Sequence, residues 1–179
     1  MAPSYPERMN ATARLLRHFL AAVAYRTQKA LREAPPEFGE FRAAPGVRTP
    51  RELVRHMTGV LGYARTFFVG GTFEAAALPS LDAEVARFHE MLESLGHAID
   101  TAESKDATPE QLLQGPLADA MTHAGQLALL RRLAGSPVPA ENFLKADVRA
   151  DTLGADQAQP RAPGRRDGRW DPRGEADEE

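Results

Sequence analysis

The fold class that this sequence predicts is an all-α four-helix bundle, and three observations predict it. Apolar residues recur at intervals of three and four in four separate stretches, as one face of a helix requires. Two of the stretches open on a capping box with proline at the first helical position, Thr49-Pro50-Arg51-Glu52 and Thr108-Pro109-Glu110-Gln111. No convincing alternation of apolar and polar residues, the mark of a half-buried strand, lies between them.

Each element follows from local signals. The first helix spans about Glu7 to Arg32, with Leu15, Phe19 and Val23 spaced four apart and Leu16 and Leu20 beside them. From Ala34 to Thr49, three prolines and two glycines forbid regular structure, while Phe38, Phe41 and Val47 call for burial. A long loop with such anchors reads as a packed cover and points to a topology that is not simply up and down. The second helix runs from the first capping box through Phe68, with Leu53, Met57, Val60, Ala64 and Phe67 facing the core, and stops before Gly70-Gly71. Ser80 caps the third, whose stripe is Leu81, Val85, Phe88, Leu92, Leu95 and Ile99. The second capping box opens the fourth, which Gly115-Pro116 kinks or restarts before it continues to Gly135. One short helical turn is expected around Phe143. Beyond Asp151 periodicity disappears, so the bundle domain is placed at residues 1–150 and a disordered polar tail at 151–179. In that tail Arg161, Arg165, Arg166, Arg169 and Arg173 are opposed by Glu175, Asp177, Glu178 and Glu179.

Composition narrows the functions. With 179 residues there is room for one sizeable core, and 42% hydrophobic residues is ordinary for a globular domain. A net charge of −3 gives no reason to expect nucleic acid as a partner. The absence of cysteine excludes disulfides, thiolate ligands and a cysteine nucleophile, so any thiol chemistry needs an external thiol. No apolar run approaches a membrane span and the N-terminus lacks a signal-like pattern, so a soluble, cytoplasmic protein with no membrane partner is expected. Hydrolase, P-loop, dinucleotide-binding and H-E-x-x-H signatures are missing.

The informative stripe lies on the fourth helix. Asp119, His123 and Gln126 fall in line with Leu130, beside Leu127 and Leu133, so an acid, an imidazole and an amide are aimed at a core. Burying them is costly unless they are paired or bind something. Asp119 and His123, four apart, can share one ion, and His56, at the edge of the second helix's core stripe, is the best third ligand. Two imidazoles and a carboxylate suit zinc, nickel, manganese or ferrous iron and leave positions open for water or substrate. The alternative is a closed polar network in which Asp119 accepts a hydrogen bond from His123 or His56, with no ion. His89, Glu93 and His97 form a second in-line set that drifts toward solvent, with His89 at the boundary, and His18 is a boundary residue.

Three segments together carry a resemblance: Ala24 to Leu31, Arg48 to His56 and Asp119 to Gly135. Over roughly residues 8 to 150 the chain resembles the DinB-like family of bacterial four-helix proteins. The resemblance implies a bundle of DinB/YfiT-like type, commonly a homodimer. It also implies a divalent metal bound by one histidine of the second helix and an H-x-x-x-H pair of the last. His56 matches the second-helix ligand and His123 the second histidine of the pair, while Asp119 stands where the pattern has the first. A carboxylate there ligates harder metals, or marks a site without one. Relatives of this type include thiol-dependent S-transferases and a mycothiol-dependent maleylpyruvate isomerase. The resemblance thus implies a small-molecule substrate, a low-molecular-weight thiol, a role for Gln126 in orienting a ligand or metal-bound water, and a pocket shaped by Phe38 and Phe41. The competing expectation is a non-catalytic, stress-associated homodimer with a polar core network.

Overall fold

The computed structural model describes residues 10–160 of the 179. Helix α1 spans Ala11–Leu31, α2 Pro50–Val69, α3 Leu81–Thr101, α4 Pro109–Leu112 and α5 Ala118–Leu133. A π turn over Leu113–Leu117 joins α4 to α5, so the two make up the fourth rod of an all-helical bundle. The kink sits at Gly115, whose φ −92°, ψ −106° leaves the helical region, next to Pro116, which lacks the N–H that a continuing helix needs. Both capping boxes form. Thr49 and Glu52 satisfy each other's backbone N–H groups, as do Thr108 and Gln111, and Ser80 caps α3 through the N–H of Ala83. Helix α5 ends on Gly135 at φ 75°, with Ser136 N–H donating to the Arg131 carbonyl and Gly135 N–H to that of Arg132.

Helix α2 packs on α3 and α5, and α1 packs on those same two helices, so α1 and α2 lie diagonally across the bundle. The loop between them therefore crosses the bundle end, which is why it is long. It is not wholly irregular: Pro36–Glu40 forms a 3₁₀ turn that buries Phe38, while Val47 is left exposed. The core is built from Leu20, Val23, Leu53, Met57, Leu61, Phe88, Leu92 and Leu127, among others.

Several expectations are corrected. Asn10 caps α1 by accepting from Ala13 N–H at 2.8 Å, so the described helix starts at Ala11; Glu7, the expected start, lies outside the described residues. Its buried face is Leu16, Leu20, Val23, Ala24 and Thr27, with Leu15 63% exposed, because the stripe is set by contact with α3 and α5 together. Around Phe143 there are turns in place of a helix.

The packed chain also continues past Ala150. Leu153 and Gln157 are buried, Arg17 Nε donates to the Ala150 carbonyl at 2.9 Å, and Arg32 reaches the carbonyl of Gln157 at 2.8 Å. A low-periodicity segment is held here by Arg17 of α1 and by Arg32 just past its end, both meeting its backbone carbonyls, a device invisible to periodicity. The arginine-bearing part of the expected tail, residues 161–179, lies outside the described residues.

Two clamps position the working end. Arg131, buried to 4% exposure, donates to the carbonyls of Ala30 and Arg32 at 3.0 Å each and to the Ser136 carbonyl at 2.9 Å, so a cation closes the C-terminus of α1. The α2–α3 loop is tied by Leu78 N–H to buried Glu84 at 2.9 Å, by Arg87 to the Ala76 carbonyl at 2.6 Å, and by Phe73, whose ring occupies the space a Cβ on Gly62 would need. Gly59, one turn earlier, has nothing near its missing Cβ.

Opposite outcomes are expected at these two glycines. Gly62→Ala should lower stability by about 1–3 kcal/mol through overpacking against Phe73, whereas Gly59→Ala should raise it by up to about 1 kcal/mol through helix propensity. Thermal unfolding of the two variants checks the contrast. Arg131→Leu should cost about 2 kcal/mol or more, because the α1 carbonyls lose their donor, read from urea midpoints.

Candidate metal centre

The adjacency of α2 and α5 brings together side chains more than sixty positions apart in sequence. His56 projects from the second turn of α2, and Asp119 and His123 from successive turns of α5. His123 Nε2 lies 3.2 Å from Asp119 Oδ1, and His56 Nε2 lies 3.8 Å from Asp119 Oδ2. The imidazole centroids are 4.8 Å apart at 76°. One ligand atom from each residue falls within 4.8 Å of the others, so the three can hold a metal ion. Ligand atoms on a tetrahedral ion with bonds of about 2.1 Å sit roughly 3.4 Å apart, close to the spacing seen here.

Gln126 orients the His123 ring. Its Oε1 is 2.9 Å from His123 Nδ1, so the ring donates there and Nε2 is the nitrogen turned toward Asp119. That Nε2 is buried and has no hydrogen-bond partner among the described residues, although it faces the Asp119 carboxylate. A neutral ring sets its Nε2 lone pair against that carboxylate across a short gap, an arrangement that a proton or a metal cation between them relieves. In the closed network the 3.2 Å approach of His123 to Asp119 would be an ion pair of a protonated ring, with His56 farther off at 3.8 Å. His56 is biased the same way. Burial, reinforced by the positive charge of Arg48 and by His123, pushes its pKa below the ordinary imidazole value, while Asp119 pulls the other way.

Exposure within the stripe differs from expectation. Of its three polar residues only His123 is buried, whereas Asp119 and Gln126, like Leu133, are exposed. The α5 face turned to the core is Ala120, His123, Ala124, Leu127, Leu130 and Arg131, so Asp119 belongs to the wall of a groove. Gln126 stands behind the His123 ring, on the Nδ1 side, where its Oε1 lies 2.9 Å from that nitrogen.

The groove has a volume of about 990 Å³. One wall is α2, with Arg55, His56, Gly59 and Tyr63; the π turn and the start of α5 supply Gln114 to Pro116 and Asp119; the third wall is Phe73 and Glu74 from the α2–α3 loop. Phe38 and Phe41 do not line it. Phe38 is buried in the core with the Arg131 guanidinium 5.5 Å from its ring centroid. Reading the sequence for ligands overlooked Arg48, Arg55 and the Phe73-Glu74 wall; the one local signal was Gly59, a glycine inside a helix three residues after His56.

The second in-line set does not assemble. His89 is 4% exposed, not at a solvated boundary, with Nδ1 2.8 Å from the Leu153 carbonyl and Nε2 3.2 Å from Gln28 Oε1, while Glu93 and His97 face outward. It is a docking point for the C-terminal segment. His18 is exposed.

No family model, curated protein or solved structure compared with this chain matches it. Among the described residues no helix is long and apolar enough to cross a membrane.

Burial holds the His89 pKa below the ordinary 6.5, against the opposing effects of the Leu153 carbonyl and Glu93. Below that value the unfolded chain takes up a proton that the folded one resists, so stability should fall as the pH drops through 6.5 and below. His56, shifted in the same direction, adds to the slope. Urea unfolding of metal-free protein across this range checks the sign, and His89→Gln should flatten the dependence.

Proposed function

We propose that this chain is a divalent-metal-binding helical bundle of the DinB-like type, in which the groove presents the ion to a small-molecule substrate. The observation that carries the reading is the buried Nε2 of His123, without a hydrogen-bond partner among the described residues and facing the Asp119 carboxylate, with its ring oriented by Gln126. His56, Asp119 and His123 bind the ion, Gln126 holds the His123 ring, and the remaining coordination positions open to the groove. A bound divalent cation supplies Lewis acidity, which lowers the pKa of a water or thiol that it meets. Two imidazoles and one carboxylate accept zinc, manganese, nickel or ferrous iron, with the carboxylate favouring the harder of these.

The reaction class we favour is transfer or isomerisation dependent on a low-molecular-weight thiol. The chain has no cysteine, so a sulfur nucleophile must come from a second molecule, and a groove of about 990 Å³ has room for two small ligands. The resemblance of the Arg48 to His56 and Asp119 to Gly135 segments to DinB-like proteins supports the same class. Leu129 and Leu133, 53% and 57% exposed on the outer side of α5, support a homodimer.

Elemental analysis of tag-free protein reconstituted with zinc, nickel, manganese and ferrous iron tests the metal reading. Stoichiometric ion is expected, lost in His56→Ala and His123→Ala and retained in Asp119→His, which restores an imidazole pair four residues apart. Substoichiometric metal with all four cations would overturn it in favour of the non-catalytic bundle.

A further inference from the structure

Two cations in the groove have no partner among the described residues. Arg48, exposed just before the α2 cap, and Arg55, half-buried one position before His56, both line the cavity that holds His56 and Asp119. Neither makes a hydrogen bond or ion pair among the described residues, whereas neighbouring arginines do. Arg42 takes Glu52 at 3.3 Å, and Arg51 takes Glu40 at 2.7 Å and the Leu78 carbonyl at 3.1 Å.

The carboxylates facing the groove do not pair directly with these two arginines. Glu52 is occupied by Arg42 and by the Thr49 N–H at 2.8 Å, and Asp119 belongs to the metal trio. Glu74, on the loop wall, pairs with neither arginine. Gln114 and Thr122 add neutral polar groups, and the rest of the lining is mostly apolar. Val60, Tyr63 and Phe73 present hydrocarbon and ring surface, and Gly59 leaves the space between them clear. A guanidinium fork matches a carboxylate, and two forks beside an apolar wall recognise a molecule with both kinds of surface. Counting the unpaired charges, Arg48 and Arg55 stand against Asp119 and Glu74, so the groove tolerates a monoanion better than a dianion until an ion adds positive charge.

The geometry points to a carboxylate subsite formed by Arg48 and Arg55 beside the His56, Asp119, His123 trio, so that the substrate is a small monocarboxylate with an apolar body seated against Val60, Tyr63 and Phe73. This inference rests on reading the groove as the functional site and names the substrate class for it. It does not require the ion for its test.

Benzoate and its neutral isostere benzamide are the probes, titrated into full-length, metal-free protein and followed by the arginine Nε–H resonances. Saturable shifts of Arg48 and Arg55 are expected with benzoate, with benzamide binding about tenfold or more weakly. Exposed Arg132, on α5 away from the groove lining, is the control. The double variant Arg48→Gln, Arg55→Gln should bring the two probes level. Glu74→Gln should tighten benzoate by removing a repelling charge, a gain that misfolding cannot mimic. Equal affinity for the two probes, a preference that survives the double variant, or shifts no larger than those of Arg132 would overturn the proposal. Zinc uptake measured on the same samples keeps the two readings apart: benzoate selectivity without zinc binding would sink the metal centre alone, and zinc binding without selectivity would sink the subsite alone.

Discussion

The arrangement depends on how α5 is seated between α1 and α2. That helix spends part of its inner face on His123, Ala120 and Ala124, so it has little apolar surface with which to hold itself. Arg131 compensates at one end, placing a buried guanidinium against the last carbonyls of α1 and the chain just beyond α5. At the other end the Gly115-Pro116 break lets the fourth rod change direction before the ligand-bearing turns begin. Between these points the azimuth of α5 is set, and with it the depth at which His123 is buried and Asp119 is not.

From that seat the site follows by simple constraints. A buried imidazole needs something at both ring nitrogens. Gln126, one turn further along, satisfies Nδ1, and among the described residues none hydrogen-bonds Nε2. The helix that faces it, α2, supplies His56 with a depressed proton affinity, and the exposed Asp119 completes the trio at the groove wall. An amide behind the ring rather than beside Asp119 is a small difference in placement with a large chemical consequence, because it turns Nε2 toward the carboxylate.

The outer layers serve the same end in a different way. The loop over Gly70 to Ser80 becomes a wall because Glu84, Arg87 and the Phe73 ring on Gly62 hold it down. The segment after Gly135 is bound to α1 and α3 by Tyr25 with Glu141 at 2.6 Å, by Arg17, by Arg32 and by His89. These attachments join polar side chains to backbone carbonyls or to single acids. They carry no periodic signature, which is why residues 151–160 read as featureless and are in fact packed.

What the sequence determined by itself is local. Capping boxes at Thr49 and Thr108, the Ser80 cap, the glycine stops and the Pro116 break are visible because their chemistry closes within a few residues. The pairing of Asp119 with His123 is visible for the same reason, since four residues make one helical turn. Only the tertiary structure decided that α1 and α2 lie diagonally, that His56 therefore faces α5, that Gln126 sits behind His123, and that Arg48 and Arg55 share its groove. Each of these depends on the relative rotation of packed helices, and a shift of one residue in that rotation swings a side chain by a little over a quarter of a turn. Helical periodicity alone does not hold that information.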